Sequence, residues 1–247
     1  MKTAKRFVQS ALNKFGYRLI RNDSRPTYGL DAFFPLLLQL GFIPKHIVDV
    51  GANHGLWTRR AFKFFPNARF TLVEPQDHLK VHVQDLIRQG CNIRWINAGV
   101  ADKPGKLPFT ILHRDDSSTF TIPAQEAQGA GVQQVFMEVK TLNEIASSND
   151  APPDVVKIDA EGYDLKVLSG ASELFGKTEI FLVEAVMGPC QHENRILAVI
   201  QKMAAAGYQL FDITDLNRSP KSGVLWLCEI AFLRNNSRLL DDATLYE

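Results

Sequence analysis

From residue 46 onward the chain alternates short apolar runs with segments whose apolar residues recur at helical spacing. The runs are His46–Val50, Arg69–Val73, Asn92–Asn97, Val155–Ile158 and Glu179–Val183. Such near-continuous apolar stretches mark parallel strands buried on both faces. The helical segments are residues 30–41, stopped by Gly41 and Pro44, then Leu56–Phe65, His78–Gln89, and Tyr163–Leu168 with Leu174 beyond. Strand and helix in alternation predict an α/β fold, a parallel sheet covered by helices. A further helix over 191–206 ends at Gly207. Tyr208–Ile213 and Val224–Arg234 then read as an antiparallel strand pair joined through Asn217, Pro220 and Gly223. Residues 101–150, broken by Pro104, Pro108, Pro123, Gly129 and Gly131, are expected to form an insertion over the sheet edge. The pattern predicts one domain over 30–247 preceded by an arm of residues 1–29.

Composition narrows the class. A chain of 247 residues with 45% apolar and 22% charged side chains can bury a sizeable core, which excludes a disordered or disulfide-stapled chain. The longest apolar stretch, Phe33 to Ile43, is broken by Pro35, Gln39 and Gly41 and falls short of the roughly 20 residues that cross a bilayer. Lys2, Lys5 and Arg6 are followed by Gln9, Asn13 and Lys14 instead of the apolar core of a secretory signal, so a cytoplasmic chain is expected. Cys91, Cys190 and Cys228 form neither a disulfide framework nor a metal-binding pair.

The net charge of +1 is unevenly spread. Residues 1–25 carry seven basic side chains against Asp23 alone, leaving 21 basic and 26 acidic residues in the rest. A body of that sign does not suit nucleic acid, whose phosphates call for clustered Lys and Arg. In the arm, Phe7, Val8, Ala11, Leu12, Phe15 and Leu19 recur at helical spacing among Lys2, Lys5, Arg6, Lys14, Arg18 and Arg21. Such a helix suits the headgroup layer of an anionic membrane, or packing against the domain or a second subunit of a homo-oligomer; a single stripe fits all of these.

Candidate chemistry lies just after the strands, where open α/β sheets bind ligands. The first strand runs into Asp49-Val50-Gly51-Ala52-Asn53-His54-Gly55 and then a helix. Gly51 and Gly55 permit a tight turn and a close backbone approach, and the helix start offers free amides to a carboxylate. Glu74, 23 residues beyond Gly51, ends the second strand, where an acid can accept from both ribose hydroxyls. Loop and acid together imply a nucleoside-bearing ligand. The dinucleotide fingerprint wants glycine at 51, 53 and 56, where this chain has Gly51, Asn53 and Leu56, so a nicotinamide cofactor is disfavoured. The C-terminal strand pair resembles the class I methyltransferase sheet, whose cofactor is S-adenosylmethionine.

The chain also resembles the FkbM family of S-adenosylmethionine-dependent methyltransferases, many of which O-methylate sugars or polyketides. The resemblance is carried by Ile47–Gly55, Val73-Glu74-Pro75, Asn97-Ala98-Gly99-Val100-Ala101-Asp102, Ser117-Ser118, Thr141-Leu142-Asn143-Glu144-Ile145, Val156–Asp164 and Val167-Leu168-Ser169-Gly170-Ala171, in order over about residues 30–235. It implies a Rossmann-like class I methyltransferase fold, a mostly parallel seven-stranded sheet with an antiparallel C-terminal strand. It places Asp49, Gly51, Asn53 and Glu74 at the cofactor and turns Asp159 and Glu161 toward the transferred methyl; Ala52, Gly55, Asn97, Ala98 and Ser118 are further cofactor-binding candidates. His54 and Asn143 depart from the commoner pattern.

Physics supports the acids independently. Asp159-Ala160-Glu161-Gly162 follows an apolar strand, and Gly162 lets the chain turn sharply. Methyl transfer from a sulfonium asks the protein to position the acceptor and take its proton, which a carboxylate can do. Asp159 or Glu161 can be that base. Alternatively Asp159 and Glu184, at the ends of adjacent strands, are candidate ligands for a divalent metal that acidifies the hydroxyl. The plainer reading has Asp159 capping the next helix and Glu161 paired with a lysine. His113 and His192 are further candidate bases, though a surface role suits each better; His78 and His82 read as a solvated face without a third ligand, and Ser117 and Ser118 as a loop that contacts cofactor or substrate or forms a plain turn. Tyr28, Trp57, Phe120 and Trp226 are candidates for stacking on a sugar. The expected activity is O-methylation of a sugar or other hydroxylated small-molecule or glycan acceptor. A nucleotide-dependent sugar oxidoreductase and a non-catalytic binding module are the alternatives.

Overall fold

The computed structural model describes residues 28–147, 151–188, 193–239 and 241. Residues 1–27 of the basic arm, on which the membrane or subunit contact is expected, and His192 lie outside the described residues. No described helix is long and apolar enough to cross a membrane.

Helix α1 (Leu30–Gln39) leads into strand β1 (His46–Val50), helix α2 (Leu56–Phe64) and strand β2 (Arg69–Val73). A 3-10 segment (Asp77–Val83) and α3 (Gln84–Arg88) precede β3 (Ile93–Ile96) and the two-residue β4 (Gly99–Val100). Strand β5 (Gly105–Ile111), a 3-10 turn (Asp115–Ser117), α4 (Ala124–Gly129), β6 (Gln133–Lys140) and α5 (Leu142–Ser147) follow. The chain then runs through β7 (Val155–Ile158), α6 (Asp164–Ser169), β8 (Ile180–Val186), α7 (Ile196–Ala205), β9 (Tyr208–Arg218) and β10 (Leu225–Arg234). The expected single helix over His78–Gln89 is thus split. Val83 at the junction has φ −115, outside the α range.

The described residues form a seven-stranded sheet in the order β3-β2-β1-β7-β8-β10-β9. The first five strands are mutually parallel, and β10 is antiparallel to both its neighbours. The fold is therefore the Rossmann-like class I methyltransferase fold, with the antiparallel C-terminal strand inserted beside β8. Strand β1 is buried at every position, and period-two alternation sends Ile47 to one face and Val48 and Val50 to the other. The Ile47 face packs under Phe33, Phe34 and Leu37 of α1; the Val48 face packs under Val167, Leu168 and Met203. Burial on both faces accounts for the uninterrupted apolar runs.

Residues 101–150 depart from expectation. Their strands β5 and β6 join β4, just before them, in a second sheet of order β4-β6-β5, in which Gly105–Ile111 pairs antiparallel with Gln133–Val139. Its following turn lies at the carboxyl ends of β1 and β2, where Phe109, Asp115, Ser118 and Phe120 share a cavity with Gly51 and Glu74. Half-exposed alternation in β6 and Pro108 within β5 hid these strands from a search for apolar runs. The helix expected from 191 begins only at Ile196, because Asn194 is drawn inward: its Nδ2 donates to Asp164 Oδ2 (2.7 Å) and to the Glu184 carbonyl (3.1 Å).

Candidate active site

The strand order reverses between β1 and β7, and the crevice opens there, as open α/β sheets predict. Beyond β1 the loop Gly51–Gly55 crosses the end of β7. Gly51 has φ +71, and a Cβ there would stand 1.8 Å from the Asp159 carbonyl oxygen, so only glycine permits the crossing. Gly55, also at positive φ, N-caps α2 and packs on Val83.

The loop amides are largely used internally. Gly51 and Ala52 donate to the Val73 carbonyl, Asn53 to Glu74 Oε2 (2.9 Å), His54 to Asn53 Oδ1 (2.7 Å) and Gly55 to the Ala52 carbonyl. The free amides expected at the helix start are those of the first turn of α2, where no preceding turn supplies acceptors. Glu74, 3% exposed, also accepts the Gln76 amide on Oε1 (2.9 Å). Burial raises its carboxyl above the ordinary value and these amides oppose the rise. Gln76 Nε2 also reaches Oε1 (3.5 Å), so the acceptor capacity left for a ligand hydroxyl lies chiefly on Oε2.

The other expected cofactor residues are placed unevenly. Ala52, Asn53, Ala98 and Ser118 line the cavity, whereas Asp49, Gly55 and Asn97 do not. Asn97 Nδ2 donates to the carbonyls of Glu74 (3.2 Å) and Pro75 (2.7 Å), holding the end of β2. Ser118 Oγ accepts the Leu112 amide (3.1 Å). Asp49 is fully buried; its Oδ2 accepts from Thr58 Oγ1 (2.6 Å) and its Oδ1 lies 3.2 Å from Lys157 Nζ.

Asp159 and Glu161 both line this cavity of about 250 Å³, with Ala98, Val100 and Phe109 as its apolar wall. Asp159 Oδ2 lies 3.2 Å from Lys157 Nζ. Glu161 sits at φ +49, a left-handed backbone that costs energy outside glycine, and its carbonyl accepts from Thr119 Oγ1 (2.8 Å). Burial, reinforced by Asp159 and Asp164, pushes the Glu161 carboxyl up to about 8. Asp159 does not cap the next helix, whose N-cap is Tyr163 with no side-chain cap; Asp164 Oδ1 instead accepts the upstream Ala160 amide (3.0 Å), and burial pushes its carboxyl up to about 7.

Glu184 lies apart from the first cavity. It lines a second hollow of about 790 Å³ with Glu229 and Asp215, and the two hollows share Leu56, Trp57, Lys157 and Asp159. Burial, then Asp159, raises Glu184 well above the ordinary carboxylate range. The two-carboxylate metal expectation meets a resident cation, since the Lys157 ammonium already sits against Asp159. Among the described residues no three His, Cys, Asp or Glu side chains converge as ligands. Asp159 and Glu184 do not fit a divalent ion.

Several participants escaped the sequence reading. His54 Nε2 pairs with Asp115 Oδ2 at 2.8 Å, and Gln76 Nε2 donates to the Asp115 carbonyl (2.9 Å). His82 is not merely a solvated face, for its ring stacks on His54 with centroids 4.0 Å apart. His113 is exposed and away from the cavity. Trp57 and Phe120 line the cavity, while Tyr28 and Trp226 do not. Lys157 carried a signal: it is a lone charge inside the apolar strand Val155–Ile158.

The residues present fit a cationic, nucleoside-bearing cofactor. A buried acid closes β2, and Ala98, Val100 and Phe109 line the same cavity as Glu74 and the carboxylates of Asp159 and Glu161. The sequence from 49 to 210 matches the model of the Methyltransferase FkbM domain. No curated protein matches the sequence. Similar solved structures include the cofactor-bound Rv0187 of MTB, 15% identical over 94% of this chain and 89% of that one, with a TM-score of 0.50. The precorrin-6y C5,15-methyltransferase of Geobacter metallireducens GS-15 is 10% identical over 88% and 94% of the two chains, TM-score 0.46. The 1,6-didemethyltoxoflavin-N1-methyltransferase of Burkholderia thailandensis is 14% identical over 81% and 75%, TM-score 0.44. With the domain matched from Asp49 to Leu210 and the sheet order in place, the chain belongs to the FkbM family of S-adenosylmethionine-dependent methyltransferases.

Proposed function

We propose that this methyltransferase acts on a hydroxyl group of a sugar or another hydroxylated small-molecule or glycan acceptor. The observation that supports it is the pair Asp159 and Glu161 on the cavity wall, beside the junction with the second hollow. S-adenosylmethionine supplies a methyl group on a sulfonium, so the protein's part is alignment and proton removal. Glu74 takes the ribose hydroxyls chiefly on Oε2, which among the described residues accepts only the Asn53 amide, and the first turn of α2 takes the carboxylate. The acceptor enters by the second hollow, where Trp57 offers an aromatic wall. A neutral hydroxyl needs a base, and Glu161, pushed up to about 8, is a stronger base than an ordinary carboxylate while still ionising near neutral pH. Asp159, fixed by Lys157, orients the hydroxyl.

The test is incubation with methyl-labelled S-adenosylmethionine and a panel of sugars, polyols and amines, with products read by NMR. Label on an oxygen, lost in Glu161→Gln by on the order of 10²-fold, is the expected result. Label on nitrogen alone, or an unaffected Glu161→Gln, overturns it.

A further inference from the structure

A lysine in the middle of a buried four-residue strand is costly unless its charge is met. Lys157 is 3% exposed. Its Nζ lies 3.2 Å from Asp49 Oδ1, 3.2 Å from Asp159 Oδ2, 3.1 Å from the Gly51 carbonyl and 3.4 Å from the Val50 carbonyl. The placement follows from the sheet. Asp49 and Lys157 are register partners across β1 and β7, and Lys157 and Asp159 are two apart, so all three side chains issue from one face. One ammonium thus joins the end of β1, the glycine loop and the carboxylate that leaves β7 for the cavity.

We propose that Lys157 is a positioning residue for methyl transfer, locking the glycine loop and Asp159 into one rigid arrangement. A purely structural lysine would be satisfied by Asp49 and the loop carbonyls. The further contact goes to Asp159, whose side chain is one-third exposed and lines both hollows, so the lysine also restrains a group that faces ligand. Asp49 needs no second use, because Thr58 Oγ1 already donates to it. Lys157 is also the positive charge shared by the surrounding acids. It lowers the proton affinity of Glu74, Glu161, Asp164, Glu184 and Glu229, all of which burial drives the other way. Burial opposes the lysine's own charge, but Asp159 and Asp49 outweigh it and hold the ammonium protonated.

The inference rests on the reading of Asp159 as a methyl-transfer residue, and the experiment separates the two. Lys157→Met removes the bridge but strands Asp49 as a buried charge. The double variant Asp49→Asn with Lys157→Met therefore accompanies it, removing both charges together. Circular dichroism reports folding, calorimetry reports S-adenosylhomocysteine binding, and turnover is followed from pH 5 to 10. A folded double variant is expected to lose on the order of 10²-fold in kcat, with acceptor KM within a few-fold. The rise of its rate with pH should also move to higher pH, because Glu161 has lost the Lys157 charge that lowers its proton affinity. A folded double variant with wild-type kcat and an unmoved pH profile overturns the proposal, as does one whose loss is confined to melting temperature. Asp159→Asn run in parallel shows the separate failure: wild-type turnover there removes Asp159 from the reaction whatever Lys157 does.

Discussion

His54 Nε2 and Asp115 Oδ2 lie 2.8 Å apart, joining the cofactor loop to the insertion that arches over it. The pair draws the Asp115 carboxyl below its usual range, chiefly through the hydrogen bond from His54. His54 is further steadied by stacking on His82, and Asp115 by the Gln76 amide group at its carbonyl. The contact is the latch of the cavity roof.

Opening that latch should loosen ligand binding modestly, because both side chains are about one-third or more exposed and solvent screens the pair. His54→Ala or Asp115→Asn is expected to weaken S-adenosylhomocysteine by about 1 kcal/mol or less, more at low salt than at high. Titration calorimetry at two ionic strengths checks both the size and the salt dependence.

Glu74 carries two tasks, holding the Asn53 and Gln76 amides and facing the cavity. Glu74→Ala leaves those buried amides unmet and takes away the ribose acceptor. Cofactor affinity should fall by about 1–3 kcal/mol, with a parallel drop in melting temperature. An affinity equal to wild type would remove Glu74 from the cofactor site.

Burial, helped by the neighbouring Asp159 and Asp164, pushes Glu161 up to about 8 and sets two pH dependences. As the base it must lose its proton, so kcat/KM for the methyl donor should rise tenfold per pH unit below about 8 and level above it. In the folded chain the proton is kept to about pH 8, whereas the unfolded chain gives it up near the ordinary glutamate value. This stabilising contribution is complete below that ordinary value and is lost as pH rises through about 8. Melting temperature should accordingly fall across this window, and Glu161→Gln should flatten the fall and melt above wild type at pH 9. A wild-type rate profile without an inflection near 8 would assign the proton transfer elsewhere.

Gly51→Ala introduces a Cβ into the 1.8 Å gap to the Asp159 carbonyl, at a φ of +71 where alanine is strained. Loop and β7 must separate. A stability loss of about 2 kcal/mol or more is expected in denaturant unfolding, together with a fall in turnover, since the displaced residue is Asp159. Gly90→Ala, also at positive φ but with open space around it, should cost only the backbone strain.

Much of the molecule was legible along the chain. Strands such as Val155–Ile158 announced themselves because a parallel strand buried on both faces must be apolar throughout, apart from its one lysine. The glycine loop and Glu74 were legible because a tight strand-to-helix turn restricts residue choice locally. Pairing decided the rest. Asp49 stands among the cofactor-loop residues in sequence, yet it is the partner of Lys157, 108 positions away, and only the β1–β7 register brings them together. Glu161 lies in the turn beyond β7 and Glu184 inside β8, and they line different hollows. The amides of Gly51, Ala52 and Asn53 find their acceptors, the Val73 carbonyl and the Glu74 carboxylate, only in the folded chain. The periodicity of a sequence records which face of a segment is buried; the partners of a polar side chain are set by the register between segments, which exists only in the folded chain.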